Sequence, residues 1–309
     1  MISKTNATNR NGINIRKRLM KVIRSQSAAW LLLLPSVLCL YFICWRPIVN
    51  GAYLSLFQMK GYTPIKFIGL KNYIQILSDT KFIMTLGNTL KYVLWNMVIG
   101  FWPPIVIAIM LNEMRHCRKS LQFAIYFPCL VPGIVVSMLW RLMYQPNSAG
   151  LLNNILSRVG IEPQLWLNNE STALVCIVAS MAWNSMGSTM IYYLAALQGI
   201  NRDLYEAALI DGAGLFSRIK NITFPQISGV ILLFFVRMII GTFQIMEQPL
   251  VMTDGGPNGA TLSLGLQAYR YAFENFQISK SLALGVIEFL MLIGFSILYF
   301  YLQNKVETE

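Results

Sequence analysis

Residues able to do chemistry are sparse in this chain and fall into three groups. The first is a short acidic stretch, Asp203-Leu204-Tyr205-Glu206, with Asp211 and Gly212 just beyond it and Pro225 further on. The second is a scatter of polar and charged side chains inside long apolar runs. Asn184 and Ser185 follow Trp183; Arg237, Thr242, Gln244 and Glu247 lie around Met238; Glu288 stands alone. The third is a lone histidine, His116, with cysteines at 39, 44, 117, 129 and 176. Four of the cysteines lie in apolar stretches and none forms a CxxC pair, so no metal site is expected. No GxxxxGK[ST] occurs, so no nucleotide-binding P-loop is expected either.

Ionisable groups inside apolar runs are costly and usually mark pairing or function. Arg237 is the sharpest case. The simpler expectation is an ion pair with Glu288 or Glu247. The more specific one is recognition of a ligand carboxylate, which a guanidinium binds bidentately. Trp183 and Trp140 offer flat faces suited to the C–H face of a sugar ring, with core packing an equal alternative. Asn184 and Ser185 are typical of side chains that bond neighbouring helices. Glu288 lacks the chain of partners a proton relay needs.

The elements that must position these residues follow from composition. Of 309 residues, 55% are hydrophobic and only 12% charged, with mean hydropathy +0.52. A soluble domain carries about a quarter charged residues. About 20 apolar residues span a bilayer, and six runs reach that length: about 28–48, 88–111, 121–144, 172–194, 226–246 and 281–302. The expected fold is an all-α membrane protein with six transmembrane helices. The first run is too long for the apolar core of a signal peptide.

The net charge of +12 follows the positive-inside bias. Basic residues are densest in the tail 1–27, in the loop with Arg115, Arg118 and Lys119, in the 195–225 segment, and at Lys305 in the tail 303–309. That side is expected to be cytoplasmic, with both termini there. With no basic domain and no recognition motif, nucleic acid is not an expected partner. Pro103, Pro104, Pro128 and Pro132 fall inside runs, where kinks are expected. Residues 71–84 have helical spacing, and 150–160 reads as a short helix closed by Gly160.

The 203–225 segment reads as a helix–turn–helix at the membrane surface. Asp203 and Glu206 resemble a capping box, giving a helix from Leu204 to about Asp211. Gly212 and Gly214 end it. A second short helix carries Phe216, Ile219 and Ile222 on one face, and Pro225 ends it before the fifth span. Small Ala207, Ala208 and Gly212 permit close approach of another backbone, and Glu206 offers a charge. An ordinary connector between spans would have similar spacing.

The segment closely resembles the EAA motif of binding-protein-dependent ABC importer permeases. Glu206, Ala207, Ala208, Gly212, Ile222 and Pro225 occupy the motif positions, with Phe224 in place of a leucine. Phe67-Ile68-Gly69-Leu70-Lys71-Asn72-Tyr73 looks like the FxGLxNY signature of sugar permeases. Leu151-Leu152-Asn153 resembles their GLxN turn, and Thr253-Asp254-Gly255-Gly256-Pro257 their TxGGP. Order and spacing point to the carbohydrate-uptake branch, similar to the maltose and glycerol-phosphate permeases.

The resemblance implies a type I importer permease in which Asp203, Glu206, Ala207, Ala208, Asp211, Gly212, Ile222 and Pro225 couple to an ATPase. It implies a second homologous permease, two ATP-binding subunits, an extracellular solute-binding protein, a sugar substrate and surrounding membrane lipid. ATP and Mg would be cofactors of the partner ATPase, with none on this chain. Trp183, Asn184, Ser185, Arg237, Met238, Thr242, Gln244 and Glu247 are the substrate-path candidates, Thr242 being best placed by alignment. A membrane-embedded glycosyl-transfer enzyme and a stand-alone proton-coupled carrier are the alternatives. The first would need clustered acids or a metal group, whereas Asp254 and His116 are isolated. The second would need a relay of intramembrane acids.

Overall fold

The computed structural model describes residues 29–114 and 116–308. The expectations for the tail 1–27, for Arg115 and for Glu309 lie outside the described residues. The chain divides into two compact units, Met1–Leu54 and Ser55–Glu309. In the first, α1 (Ala29–Leu54) is a helix of membrane-crossing length that buries none of its most apolar window within the protein. Its Leu, Ile and Val side chains therefore suit a hydrocarbon solvent.

The second unit begins with a hairpin, β1 (Phe57–Lys60) and β2 (Thr63–Phe67), antiparallel with a bulge at Gln58/Met59. Composition points to helices only, so the hairpin is an addition. Gly61, at φ +57°, supplies the left-handed turn. The predicted helix over 71–84 is interrupted: α2 (Lys71–Leu77) ends, and Asp79 caps α3 (Thr80–Ile99) by accepting from the Lys81 amide at 2.9 Å. Gly100 and Phe101 break the second span before α4 (Trp102–Glu113), whose first turn holds Pro103 and Pro104, where no intrahelical donor is needed.

The third span departs most from expectation. In place of one kinked helix over 121–144 stand α5 (Arg118–Tyr126), a 3₁₀ turn Phe127–Leu130, and α6 (Gly133–Met143), bent by 96°. Two prolines cause the break. Pro128 sits in the 3₁₀ turn, and Pro132 forces Val131 into an extended conformation (ψ 132°) that no helix can continue. α7 (Leu151–Arg158) matches the expected short helix, with Gly160 at φ +78° closing it.

α8 (Glu170–Gln198) is the unbroken fourth span, and its 29 residues exceed the roughly 20 that a bilayer requires. Next come α9 (Arg202–Ile210) and α10 (Leu215–Phe243), the latter continuous through a π turn at Ile219–Thr223. Short α11 (Glu247–Thr253) and α12 (Leu264–Tyr269) precede α13 (Ile278–Thr308). Among the described residues five helices are long and apolar enough to cross a membrane, and six spans result if the bent pair counts as one.

Three buried clusters hold this unit. One joins Phe101, just before α4, and Ile105 of α4 to Met190, Tyr193 and Leu197 of α8 and to Ile227 and Phe234 of α10. The second centres on Tyr92, Tyr144, Ile177 and Met252. The third joins Ile76, Phe243, Leu264 and Leu284.

Candidate functional site

The acidic segment is built from a cap outward. Asn201, not Asp203, is the N-cap of α9: its side-chain carbonyl accepts from the Asp203 amide at 3.1 Å. Asp203 sits in the first turn, where its charge favours the helix dipole, and accepts from the Asn201 side-chain amide at 3.2 Å. The capping-box expectation is therefore corrected by two residues, because Asn is as good a cap as Asp and lies in the right frame. α9 closes in a Schellman motif. The Ala213 amide donates to Ala208 O at 2.8 Å and the Gly212 amide to Leu209 O at 3.1 Å, with Gly212 at φ +76°.

Pro225 does not end a second short helix, as expected. It stands in the first turn of the regular α stretch that follows the π turn. There the Phe224 amide bonds Ile219 O, one residue beyond the α spacing. The ladder shifts register just ahead of a residue that cannot donate, so the helix runs on into the fifth span. Glu206, Ala207, Asp211 and Gly212 are exposed, and Ala208 and Ile222 half-buried. Beside them Ile210 is 87% exposed and Phe216 81% exposed. Tyr205 faces the other way: its hydroxyl lies 3.0 Å from that of buried Thr223.

The second group gathers only in part. Asn184 and Ser185 line a cavity of about 130 Å³ with Asn96, Ser137, Ser180 and Gln248. Asn184 donates to Pro128 O at 2.8 Å, holding the broken span against α8. Gly187, one turn on, lets the backbones meet: a Cβ there would lie 2.3 Å from Ile125 O. Thr242 is buried, donating to Met238 O at 2.7 Å and accepting from Asn96 Nδ2 at 2.8 Å. Met238 packs against the first core cluster. Trp183 packs edge-on against Trp140, ring centres 5.8 Å apart, and remains 40% exposed. Gln244 is exposed at the end of α10.

The expected ion pair of Arg237 is not formed. Among the described residues the salt bridges are those of Arg270 with Asp254 and Glu274. The Arg237 guanidinium lies instead 5.7 Å from the Phe234 ring centre and 6.0 Å from that of Tyr192. Those ring faces, one turn away and on the adjoining helix, attract a cation. Glu247 Oε1 lies beside Gly133 at the N-terminus of α6, where the helix dipole favours an anion. Glu288 Oε1 is buried without a hydrogen-bond partner among the described residues.

Sequence reasoning missed Asn96, Ser137, Gln248 and Lys91. Lys91 lies in the second apolar run and lines a cavity of about 460 Å³ with Trp95 and Glu170. A charge inside a run is a signal that could have been read. The neighbours of Asn96 and Gln248 come from distant segments and left no local trace.

The other motifs prove to be fasteners. Asn72 donates to Ser55 O at 2.6 Å, pinning the hairpin. Asn153, fully buried, donates to Gln145 O and Gln164 O and accepts from the Gln164 amide and Trp166 Nε1, all within 3.0 Å. The 253–257 turn is tied by Thr253 and Thr261 hydroxyls 2.7 Å apart and by Arg270 on Asp254 at 2.7 Å.

With this geometry in hand, residues 104–308 match the family model described as binding-protein-dependent transport system inner membrane component. The chain belongs to that family. It is 32% identical over 277 residues to the trehalose/maltose transport system permease protein MalF of Thermococcus litoralis, covering 89% of this chain and 93% of that one. It is 33% identical over 283 residues to the lactose transport system permease protein LacF of Rhizobium radiobacter, covering 89% and 94%. The fold is that of a subunit in the crystal structure of a bacterial ABC transporter that imports the acidic polysaccharide alginate. The TM-score is 0.83 at 24% identity, covering 94% of this chain and 99% of that one. This permease subunit is thus a transport component and not an enzyme.

Proposed function

We propose that the chain is the sugar-translocating permease of an ATP-driven importer. The substrates for which its relatives are named (trehalose and maltose, arabinooligosaccharides, lactose) support a saccharide. A second permease would complete the path, and two ATPase subunits, carrying ATP and Mg, would dock on the exposed face of α9. A solute-binding protein would deliver the sugar. A structural neighbour was solved with an alginate pentasaccharide-bound periplasmic protein, which favours that last partner.

In this reading the basic tail 1–27, the 203–225 segment and the tail 303–309 are cytoplasmic, and 28–302 forms the spanning domain. ATP binding closes the ATPases, α9 carries the movement to the spans, and the cavity turns outward. The polar cavity at Asn184 and Ser185 is the best-supported stretch of path, because polar side chains inside spans usually face the bundle interior or a conduit and several gather here. Arg237, engaged with two rings, is better read as a joint between the fourth and fifth spans.

The observation that carries the proposal is the exposed EAA element. Glu206, Ala207, Gly212 and the large apolar Ile210 and Phe216 are exposed among the described residues, so they suit a partner protein. The test is co-purification. A tagged chain, solubilised gently, should bring down an ATPase subunit, and its absence would sink the reading. A sugar panel against the cognate solute-binding protein would then fix the substrate.

A further inference from the structure

The exposed face of α9 meets the partner, but something must carry its displacement into the membrane. The peptide link alone is a poor candidate. Between α9 and α10 it runs through Gly212, whose left-handed turn leaves open space around the Cα, and through Gly214. The turn sets the angle of α9, but its two glycines carry no side chain that could pack α9 against α10.

A second route bypasses the turn. Tyr205 precedes Glu206 on α9 and is half-buried, while Glu206 and Ala207 are exposed. Its hydroxyl lies 3.0 Å from Thr223 Oγ1 across 18 residues of chain. Thr223 is the last residue of the π turn in α10 and is only 4% exposed. It also reaches back to Arg218 O at 3.5 Å across the π turn. One α-helical turn further on, Ile227 is 1% exposed and sits in the cluster shared by α4, α8 and α10.

We infer that the Tyr205–Thr223 hydroxyl pair, seated on the π turn, is the joint that ties the partner-facing helix to the fifth span. Both are positioning residues; neither touches substrate. A π turn is a place where a helix can change its ladder register with little loss of bonding, and such turns recur at functional sites. A side-chain tie at its last residue makes a displacement of α9 act on the register of α10. Without the tie, that displacement would pass through the glycine turn.

This inference rests on the importer reading above. The test uses the whole transporter, assembled with its partner permease, ATPase and solute-binding subunits and reconstituted in liposomes. Tyr205→Phe and Thr223→Val each remove the bond while keeping size. Each should lower sugar uptake per ATP hydrolysed by roughly three- to tenfold, the range expected for one hydrogen bond. The ATPase should still co-purify in full.

Thr223→Ser keeps the hydroxyl and should restore the wild-type ratio. The double variant should be no worse than either single one, since both remove the same tie. Unchanged uptake per ATP in both single variants would overturn the joint. So would loss of the ATPase from the complex, which would place Tyr205 in docking. If the wild-type assembly itself shows no ATP-driven uptake, the importer reading falls, and the joint with it.

Discussion

The motif asparagines and the EAA segment stand out equally in the sequence and behave in opposite ways in the structure. Asn72 and Asn153 are buried and bonded within the chain, Asn153 at both ends of its amide. Glu206, Ile210 and Phe216 are exposed and unmet. A buried amide with all its bonds made is worth most to the fold, because each partner would otherwise lose its bond in a dry site. An exposed apolar and charged cluster is worth little to the fold and most to a partner. Equal prominence as sequence motifs therefore conceals two roles, and stability and coupling measurements should separate them.

The largest expected effect is on the fastened side. Asn153→Ala strands Gln145 O, Gln164 O, the Gln164 amide and Trp166 Nε1. The cost should be about 2–4 kcal/mol of stability, read as a lower melting temperature of the solubilised protein. Uptake per folded transporter should stay near wild type. A loss of coupling with no loss of stability would break the comparison.

The 203–225 segment, with the coupling role proposed for it, should behave the other way. Gly212 is at φ +76° with open space where a Cβ would lie, so the strain in Gly212→Val is purely conformational. Stability should fall by about 1–2 kcal/mol, the cost of holding an L-residue in the left-handed region. Uptake should fall on the order of fiftyfold, within the usual span of coupling energies. Gly212→Asn, which tolerates the left-handed region, should keep most of the activity. A Val variant with normal uptake would show that α9 need not hold its angle.

Gly187→Ala tests the seat of the broken span and lies between the two. A Cβ there meets Ile125 O and the Tyr126 Cα at 2.3 and 2.6 Å, both backbone atoms. Overpacking of this kind typically costs about 1–3 kcal/mol. Because the adjacent cavity must shift too, both melting temperature and uptake should decline. Wild-type values for both would mean that the bent pair is not pressed against α8.

Much of this was legible in sequence, for reasons the structure makes plain. The helical class with five or six candidate spans, the helix closed by Gly160 and the turn at Gly212 are set by local patterns of hydrophobicity and backbone freedom. The 96° break was not legible, since Pro128 and Pro132 inside an apolar run look the same whether they kink a helix or end it. The continuity of α10 through Pro225 depends on a register shift, which no side-chain pattern announces. Arg237 and Asn96 found partners on other spans, and pairings of that kind are decided by packing. Asn201 was a local miss: two good caps lay in tandem, and the first won.

Arg270→Gln gives the smallest expected effect and the cleanest check on the fastened side. Arg270 pairs with Asp254 at 2.7 Å and Glu274 at 3.4 Å, but the Asp254 side chain is 73% exposed. Water and salt screen such a pair, so its worth should be under about 1 kcal/mol. The turn keeps its other ties, the Thr253–Thr261 hydroxyls and the Thr261 hydroxyl donating to Gly256 O at 2.8 Å. The melting temperature should therefore drop less than in Asn153→Ala, and high salt should shrink the gap between wild type and variant. If Arg270→Gln instead cost more than Asn153→Ala, charge and not buried amide bonding would hold these loops, and the division between the two regions would have to be redrawn.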